Sequence, residues 1–333
     1  MNAPLLHLSA EDVRRVLPMR DAIEAMRDAF AQLSRGEVTL PTRVRLNAPR
    51  EHGVALIMPC HSAALKMFSL KMATVFLDNP QRGLPAIQST VLLADGSTGT
   101  QLAVVDGASL TAIRTGAASG LATDLLARTD ASVLAVIGTG VQARAQLEAV
   151  CCVRRIRLAR VYGRNAEAAE RFAHEMSKQL GITVERSAST AEAIKDADVI
   201  CTATSSTTAL FADADVPRGA HINAVGSYRP DMVEIPSATI CRARMVVDHH
   251  VSAMEEAGDL LAPLRAGLID ETHFRLELGS IVLGTNPGRV SADEIIIFKS
   301  VGVAIQDLCA AVHALSNART MGIGTDLQPK ERS

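Results

Sequence analysis

The sequence predicts an α/β protein with two parts, a doubly wound parallel sheet and an α+β domain. Three observations carry this reading. After Ser132 short apolar runs alternate regularly with helical segments. A glycine-rich turn joins the first of those runs to its helix. Before Leu110 the apolar runs are separated instead by turn signals of the kind that close hairpins.

Taken in order, Ser9 reads as the cap of a helix with Val13, Val16 and Leu17 as its apolar positions, ended by Pro18. Asp21 to Ser34 reads as a second helix, stopped by Gly36. Between Val38 and Leu110 the runs VALIMP, SLKMATVF and AIQSTVLLAD are divided by Asn79-Pro80 and Asp95-Gly96, as antiparallel strands are. At Thr111 the pattern changes to a small-residue helix, TAIRTGAASGLATDLLA. Beyond Ser132, SVLAVIG, IRLARVYG, ITVERS, DVICTAT, AHINAVG and RMVVDH read as strands. VQARAQLEAVCC, AEAAERFAHEMSKQL and the short TAEAIKDA read as the helices among them. Continuous short apolar runs fit strands covered on both faces, hence a parallel sheet. The last eight residues read as a frayed tail.

Composition narrows the function classes. The 333 residues suffice for about two domains, and 48% apolar with 21% charged residues is ordinary for a globular chain. Lys and Arg number 34 against 36 Asp and Glu, a net charge of −2, so no basic excess is present to hold nucleic acid or an anionic membrane. Seven Phe, two Tyr and no Trp leave few rings for stacking on bases. No apolar run reaches the ~18–20 residues of a membrane helix, and the N-terminus lacks the basic-then-apolar layout of a secretory signal. The six cysteines, at 60, 151, 152, 201, 241 and 309, contain no C-x-x-C pair and suggest neither a zinc site nor a disulfide framework. A cytoplasmic enzyme is the expectation, with no metal.

Gly138-Thr139-Gly140-Val141-Gln142-Ala143 follows the strand SVLAVI and opens a helix, the G-x-G-x-x-A form of a dinucleotide-binding turn. The first glycine makes the turn, the second lets backbone approach a pyrophosphate, and Ala143 allows close helix–strand packing. The helix N-terminus offers unpaired N–H groups to the phosphates. The tip of the next strand reads Tyr162-Gly163-Arg164-Asn165, without the acid that usually bonds the ribose hydroxyls of NAD. Arg164 can pair with a 2′-phosphate, so NADPH is favoured over NADH.

Ligands of doubly wound sheets sit beyond the carboxyl ends of the strands. The loops at Thr202, Ala203 and Thr204 and at Val225, Gly226 and Ser227 are therefore expected at the cofactor, and Asp231 is the nearby acid, equally readable as a helix cap. In the other half, Arg43 and Arg45 are spaced to share one face of a strand. Lys71 interrupts an apolar run, and Arg114 sits among Ala, Thr and Gly. Buried cations need an anion, and a substrate carboxylate would be one. His249 and His250 would point oppositely on a strand, which argues against a shared metal.

These motifs accumulate into a resemblance. LPTR (40–43), IMP (57–59), LKM (70–72), DGASLTAIRTGAAS (106–119), VIGTGVQA (136–143), HINAVGSYRPDMVEI (221–235) and FKSVGVAIQDL (298–308) resemble the ornithine cyclodeaminase/μ-crystallin family, from near the N-terminus to about residue 318. The resemblance implies a homodimer. It also implies a substrate-binding and dimerisation domain, 1–118 with 306–333, and a Rossmann-type nucleotide domain, 119–305. Arg43, Lys71 and Arg114 would hold a substrate carboxylate, with Arg45 a rival for the first position and Met58 of the IMP motif beside them. Asp231, with Lys71, would handle the proton at the reacting carbon and nitrogen. Thr115 and Asn165 join the glycine turn and the two loops as expected cofactor contacts.

Two departures refine the expectation. Cyclodeaminases of the family carry a Glu two residues before Met-Pro to hold a distal amine, and an acid at the strand tip. Here the positions are Leu56 and Gly163-Arg164. Leu cannot pair with an ammonium. The expected activity is therefore NADPH-dependent reduction of a cyclic α-imino acid, Δ1-pyrroline-2-carboxylate or its piperideine homologue, to the L-amino acid. Cyclodeamination, alanine-dehydrogenase chemistry and a non-catalytic crystallin-like NADPH binder are the alternatives. Phe68, just before the Lys71 run, is the one ring expected to shape the pocket.

Overall fold

The computed structural model describes residues 5–76 and 78–327. They form two units, Met1–Arg114 with Ala304–Ser333, and Thr115–Val303.

The first unit opens with β1 (Leu6–Leu8) and α1 (Ala10–Val16). Ser9 closes a capping box on α1: its hydroxyl accepts from Asp12 N, and its own N–H donates to Asp12 Oδ2 at 3.0 Å. Such a cap contributes about 1 kcal/mol. α2 (Met19–Ser34) begins directly after Pro18 and buries Ala22, Ile23, Met26, Ala29 and Phe30 along one stripe. β2 (Val38–Thr39), β3 (Val44–Ala48), β4 (Gly53–Ser62), β5 (Met67–Phe76), β6 (Ile87–Asp95) and β7 (Gln101–Asp106) follow. β3 to β6 are linked as antiparallel neighbours, β6 pairs antiparallel with β7, and β1 adds to β7 in parallel.

Side chains alternate across this sheet. On β5 Ser69, Lys71 and Ala73 are buried while Phe68, Leu70 and Met72 are exposed. Phe68, expected to shape the pocket of Lys71, therefore lies on the opposite face, 46% exposed and tilted against His61. The helix expected from Thr111 starts earlier, as α3 (Gly107–Leu126), because Asp106 Oδ1 accepts from Ser109 N at 2.8 Å and ends the strand there.

The second unit runs β8 (Val133–Ile137), α4 (Val141–Val153), β9 (Leu158–Tyr162), α5 (Ala166–Leu180), β10 (Thr183–Arg186), α6 (Thr190–Ile194) and β11 (Val199–Thr202). β12 (His221–Ala224), α7 (Ser237–Arg242), β13 (Arg244–Val247), α8 (His250–Glu256), α9 (Gly258–Arg265), α10 (Leu278–Val282) and β14 (Ile296–Lys299) complete it. Its strands form one parallel sheet ordered β10-β9-β8-β11-β12-β14-β13, with an apolar core on each face. β14 was not expected. Its four residues are fully covered, so it lies inside the sheet, between β12 and β13.

The histidine pair is corrected too. β13 ends at Val247, His249 is the N-cap of α8 and His250 its first residue, so neither belongs to a strand. The chain turns there because the buried Asp248 carboxylate accepts from Ser300 Oγ, Val301 N and Gly302 N.

α11 (Ala304–Met321) returns to the first unit and packs on α2, and β15 (Thr325–Asp326) pairs antiparallel with β1. The tail expected to fray is thus tied down through Leu327, whose N–H donates to Leu5 O at 2.8 Å. Its remainder, 328–333, lies outside the described residues.

Candidate active site

In the second unit the strand order reverses between β8 and β11, where doubly wound sheets place their ligands. Gly138 follows β8 with φ +123, and a Cβ there would meet Ala203 O at 2.6 Å. Only glycine fits. Gly140 is different: a Cβ on it would meet nothing within 4 Å. It caps α4 without a side-chain bond, so the first N–H groups of that helix face open space. A cavity of about 400 Å³ lies here, lined among others by Gly138, Thr139, Arg164, Asn165, Ala203 and Thr204. No carboxylate is among its lining residues. Arg164 is exposed at the tip of β9, and Asn165 Oδ1 caps α5 by accepting from Ala168 N at 2.8 Å. Val141 is 68% exposed on the first turn of α4, Gln142 is half-buried and Ala143 is buried under the sheet. Thr115 O accepts from Gln146 Nε2 of α4.

The two strand-end loops are less free than their sequence suggests. Thr202 is fully buried and donates its hydroxyl to Glu234 at 2.8 Å. Thr204 donates both its N–H (2.6 Å) and its hydroxyl (2.8 Å) to the same side chain, and Gly226 N adds a fourth bond at 2.8 Å. Val225 N donates to Thr202 O and Ser227 Oγ donates to Met232 O, and neither residue is among those lining the cavity. Of the six loop residues expected at the cofactor, Ala203 and Thr204 alone line it. The organising residue, Glu234, was missed. It is fully buried, its own N–H donates to Asp259 Oδ1, and Asp259 pairs with buried Lys299 at 2.9 Å. Burial and the Asp259 charge push the Glu234 carboxyl above its usual range, opposed by Lys299 and the hydroxyl of Thr202. The signal available was an acid in MVEI and a lysine closing an apolar run, with no spacing to join them.

Asp231 sits on the turn after β12 with its side chain 62% exposed, and Arg229 donates to both its oxygens at 3.0 and 2.8 Å. It caps no helix.

In the first unit the expected cations do converge. Met58, Lys71 and Val91 lie side by side across β4, β5 and β6. Lys71, 5% exposed, donates to Thr111 Oγ1 at 2.6 Å and to Asp307 Oδ1 at 3.0 Å. Arg114 Nε reaches the same Asp307 oxygen at 3.0 Å, and its Nη1 donates to Gln306 Oε1 at 2.9 Å. Burial, joined by the charges of Arg114 and Arg43, pulls the Lys71 ammonium down to about 8. Burial would raise the Asp307 carboxyl, but Arg114 and Lys71 hold it below its ordinary range. Asp307, on α11, was also missed: it lies 236 residues from Lys71.

Arg43 and Arg45 differ in their surroundings. Arg43 precedes β3, and its charge is felt at Lys71. Arg45 lies on β3, exposed, and donates to Asn47 Oδ1 at 3.0 Å. Leu56 stands opposite Arg45 and Ala73 on the same face of β4 as Met58. One cluster thus offers several cations against one carboxylate, an arrangement that binds anions.

The model of the ornithine cyclodeaminase/mu-crystallin family matches residues 5–321. The chain is 39% identical over 325 residues to a Δ1-pyrroline-2-carboxylate reductase of Bacillus cereus (strain ZK / E33L), covering 97% of this chain and 100% of that one. Among solved structures it is similar to Thermococcus litoralis Δ1-pyrroline-2-carboxylate reductase in complex with NADH and L-proline. The TM-score is 0.93 with 39% identity, over 97% of this chain and 100% of that chain. An archaeal alanine dehydrogenase dimer with bound NAD gives a TM-score of 0.91 and 32% identity, over 97% and 99%.

Proposed function

Since the chain belongs to the ornithine cyclodeaminase/mu-crystallin family, we propose that it reduces a cyclic α-imino acid to the L-amino acid with a nicotinamide dinucleotide. Δ1-pyrroline-2-carboxylate, giving L-proline, is the preferred substrate, with Δ1-piperideine-2-carboxylate, giving L-pipecolate, its homologue. The observation that carries the proposal is the buried Lys71–Asp307–Arg114 cluster, a carboxylate receptor in a chain whose relatives include named pyrroline-2-carboxylate reductases.

The residues present fit a dinucleotide: Gly140 leaves open the space a Cβ would fill, and uncapped N–H groups of a 13-residue helix face it. When bound, the reduced nicotinamide supplies the hydride. Gly138 to Ala143, Ala203 and Thr204 would hold it. NADPH rather than NADH is supported by exposed Arg164 and by a cavity lining without a carboxylate to repel a 2′-phosphate.

Lys71, Arg114 and Arg43 hold the substrate carboxylate, each charge-assisted bond contributing about 1.5–3 kcal/mol. Met58 and Leu56 give the substrate's distal part an apolar wall, which suits a hydrocarbon ring and disfavours an ammonium. Asp231 keeps the imine nitrogen protonated, and a protonated iminium accepts hydride more readily. Such proton handling is worth about 10²–10⁴-fold.

A homodimer of the first unit is supported by its sheet. Val44, Leu46, Leu70 and Met72 present exposed apolar side chains on one face, in a register that sets Val44, Ile57 and Met72 side by side. A cytoplasmic location follows from the metabolic chemistry proposed.

The test is oxidation of NADPH and of NADH with both cyclic imines and with an open-chain imine, alongside Asp231→Asn. NADPH-dependent formation of L-proline or L-pipecolate is expected, with kcat of Asp231→Asn lowered at least about 100-fold. Proline formation from ornithine without net NADH change refutes the reading in favour of cyclodeamination. Turnover confined to the open-chain imine favours alanine-dehydrogenase chemistry. Tight NADPH binding without turnover favours a ligand-binding protein.

A further inference from the structure

The reading above gives Asp307 no role of its own within the cluster, yet it is the group through which two of the three cations are fixed. It comes from α11, at the far end of the chain, and is fully buried. A single oxygen, Oδ1, accepts from both Lys71 Nζ and Arg114 Nε, each at 3.0 Å. The other oxygen, Oδ2, is buried without a hydrogen-bond partner. A carboxylate placed to satisfy its own bonds would use both oxygens. This one sets two cationic heads around one atom instead.

We propose that Asp307 is the positioning residue of the carboxylate receptor, holding Lys71 charged and Lys71 and Arg114 at a spacing that one substrate carboxylate spans. The proposal rests on the reading that this cluster binds a carboxylate. Asp307 reaches Lys71 from α11, Arg114 and Thr111 from α3, and Arg43 from the segment before β3. Met58 and Val91 flank it from β4 and β6, with Cys60 further along β4. Among these Asp307 is the one carboxylate. Burial, Arg114 and Arg43 all work against the ammonium, and Asp307 opposes them. Without it, the Lys71 ammonium would lose its proton at lower pH, leaving the receptor one charge poorer there.

The experiment measures Kd of L-proline by calorimetry, and kcat/KM for the imine, across pH 6–10 in the full chain and two variants. Asp307→Asn keeps shape and one acceptor oxygen but removes the charge. Its alkaline limb, where carboxylate binding is lost, is expected to move down by about 1 unit or more, with at least roughly tenfold weaker binding at pH 8. Asp307→Glu retains the charge and displaces it by one methylene. Its limb is expected to stay within about half a unit of wild type while KM rises at least roughly tenfold. A limb unmoved in Asp307→Asn refutes the charge role, and a wild-type KM in Asp307→Glu refutes the positioning role. Should Asp307→Asn fail to fold, Asp307→Glu decides alone. If wild type binds proline but turns over no imine, the functional reading fails while the Asp307 proposal is still judged on binding. If wild type binds no carboxylate at all, both fall.

Discussion

Replacing Glu234 by Gln tests how the two strand-end loops of the second unit are held. Glu234 takes two donors on each oxygen: Thr204 N and Thr204 Oγ1 on Oε1, Thr202 Oγ1 and Gly226 N on Oε2. Each oxygen therefore faces one hydroxyl, which can rotate and accept, and one backbone N–H, which cannot. Whichever way an amide is turned, its NH₂ meets a backbone N–H. One buried donor is then orphaned, at about 1–3 kcal/mol, and the remaining bonds lose the charge that strengthened them, about 1 kcal/mol more. The expected loss of about 2–4 kcal/mol lowers Tm by roughly 4–12 °C in calorimetry. Because Thr204 lines the cavity, KM for the dinucleotide should also rise several-fold. A Tm within 1 °C of wild type with unchanged dinucleotide KM would refute the reasoning. It would mean that Glu234 already carries a proton, its burial having overcome the four donors.

Three further predictions follow from particular side chains. Arg164→Ser should raise KM for NADPH roughly tenfold while leaving KM for NADH within about twofold, so equal effects on both dinucleotides would remove Arg164 from 2′-phosphate recognition. Burial and then Arg289 hold His221 down to about 3, from 6.5, so it is neutral in the fold while the unfolded chain takes up a proton. Stability present above pH 6.5 should therefore be lost as pH falls toward 3, by up to about 1.4 kcal/mol per unit from this group; urea midpoints of His221→Gln, read against pH, should show a slope shallower by one proton. Leu70→Glu, on the exposed apolar face of β5, should convert a dimer to a 35.3 kDa monomer in sedimentation, whereas an unchanged mass would move the interface elsewhere.

Much of this molecule is legible in order along the chain. Ser9 announces α1 because a cap acts on N–H groups three residues away, and the turn at Gly138 announces the cavity at the end of β8 because strand, turn and helix are contiguous. Lys71 and Arg114 stand out because a cation amid apolar or small residues must have a partner. Where reading failed, the missing information was distance in space. Phe68 adjoins the Lys71 run, yet alternation along β5 sends it to the other face. Spacing likewise leaves Arg43 and Arg45 equal, and only the structure shows Arg45 exposed and bonded to Asn47 on the face of Leu56.

By itself, then, the sequence determined the two kinds of sheet, the glycine turn and the cations that had to find buried partners, since each rests on interactions within a few residues or on the bare cost of burying charge. Only the tertiary structure decided which groups govern them. β14 enters the sheet out of order, and with it Lys299 meets Asp259 beneath the loops that Glu234 ties together. α11 brings Asp307 from the other end of the chain to the cations of β5 and α3. The physical reason is the same in both cases: a buried carboxylate is tolerated only where cations and N–H groups from remote segments converge on it, and that convergence leaves no spacing in the sequence to read.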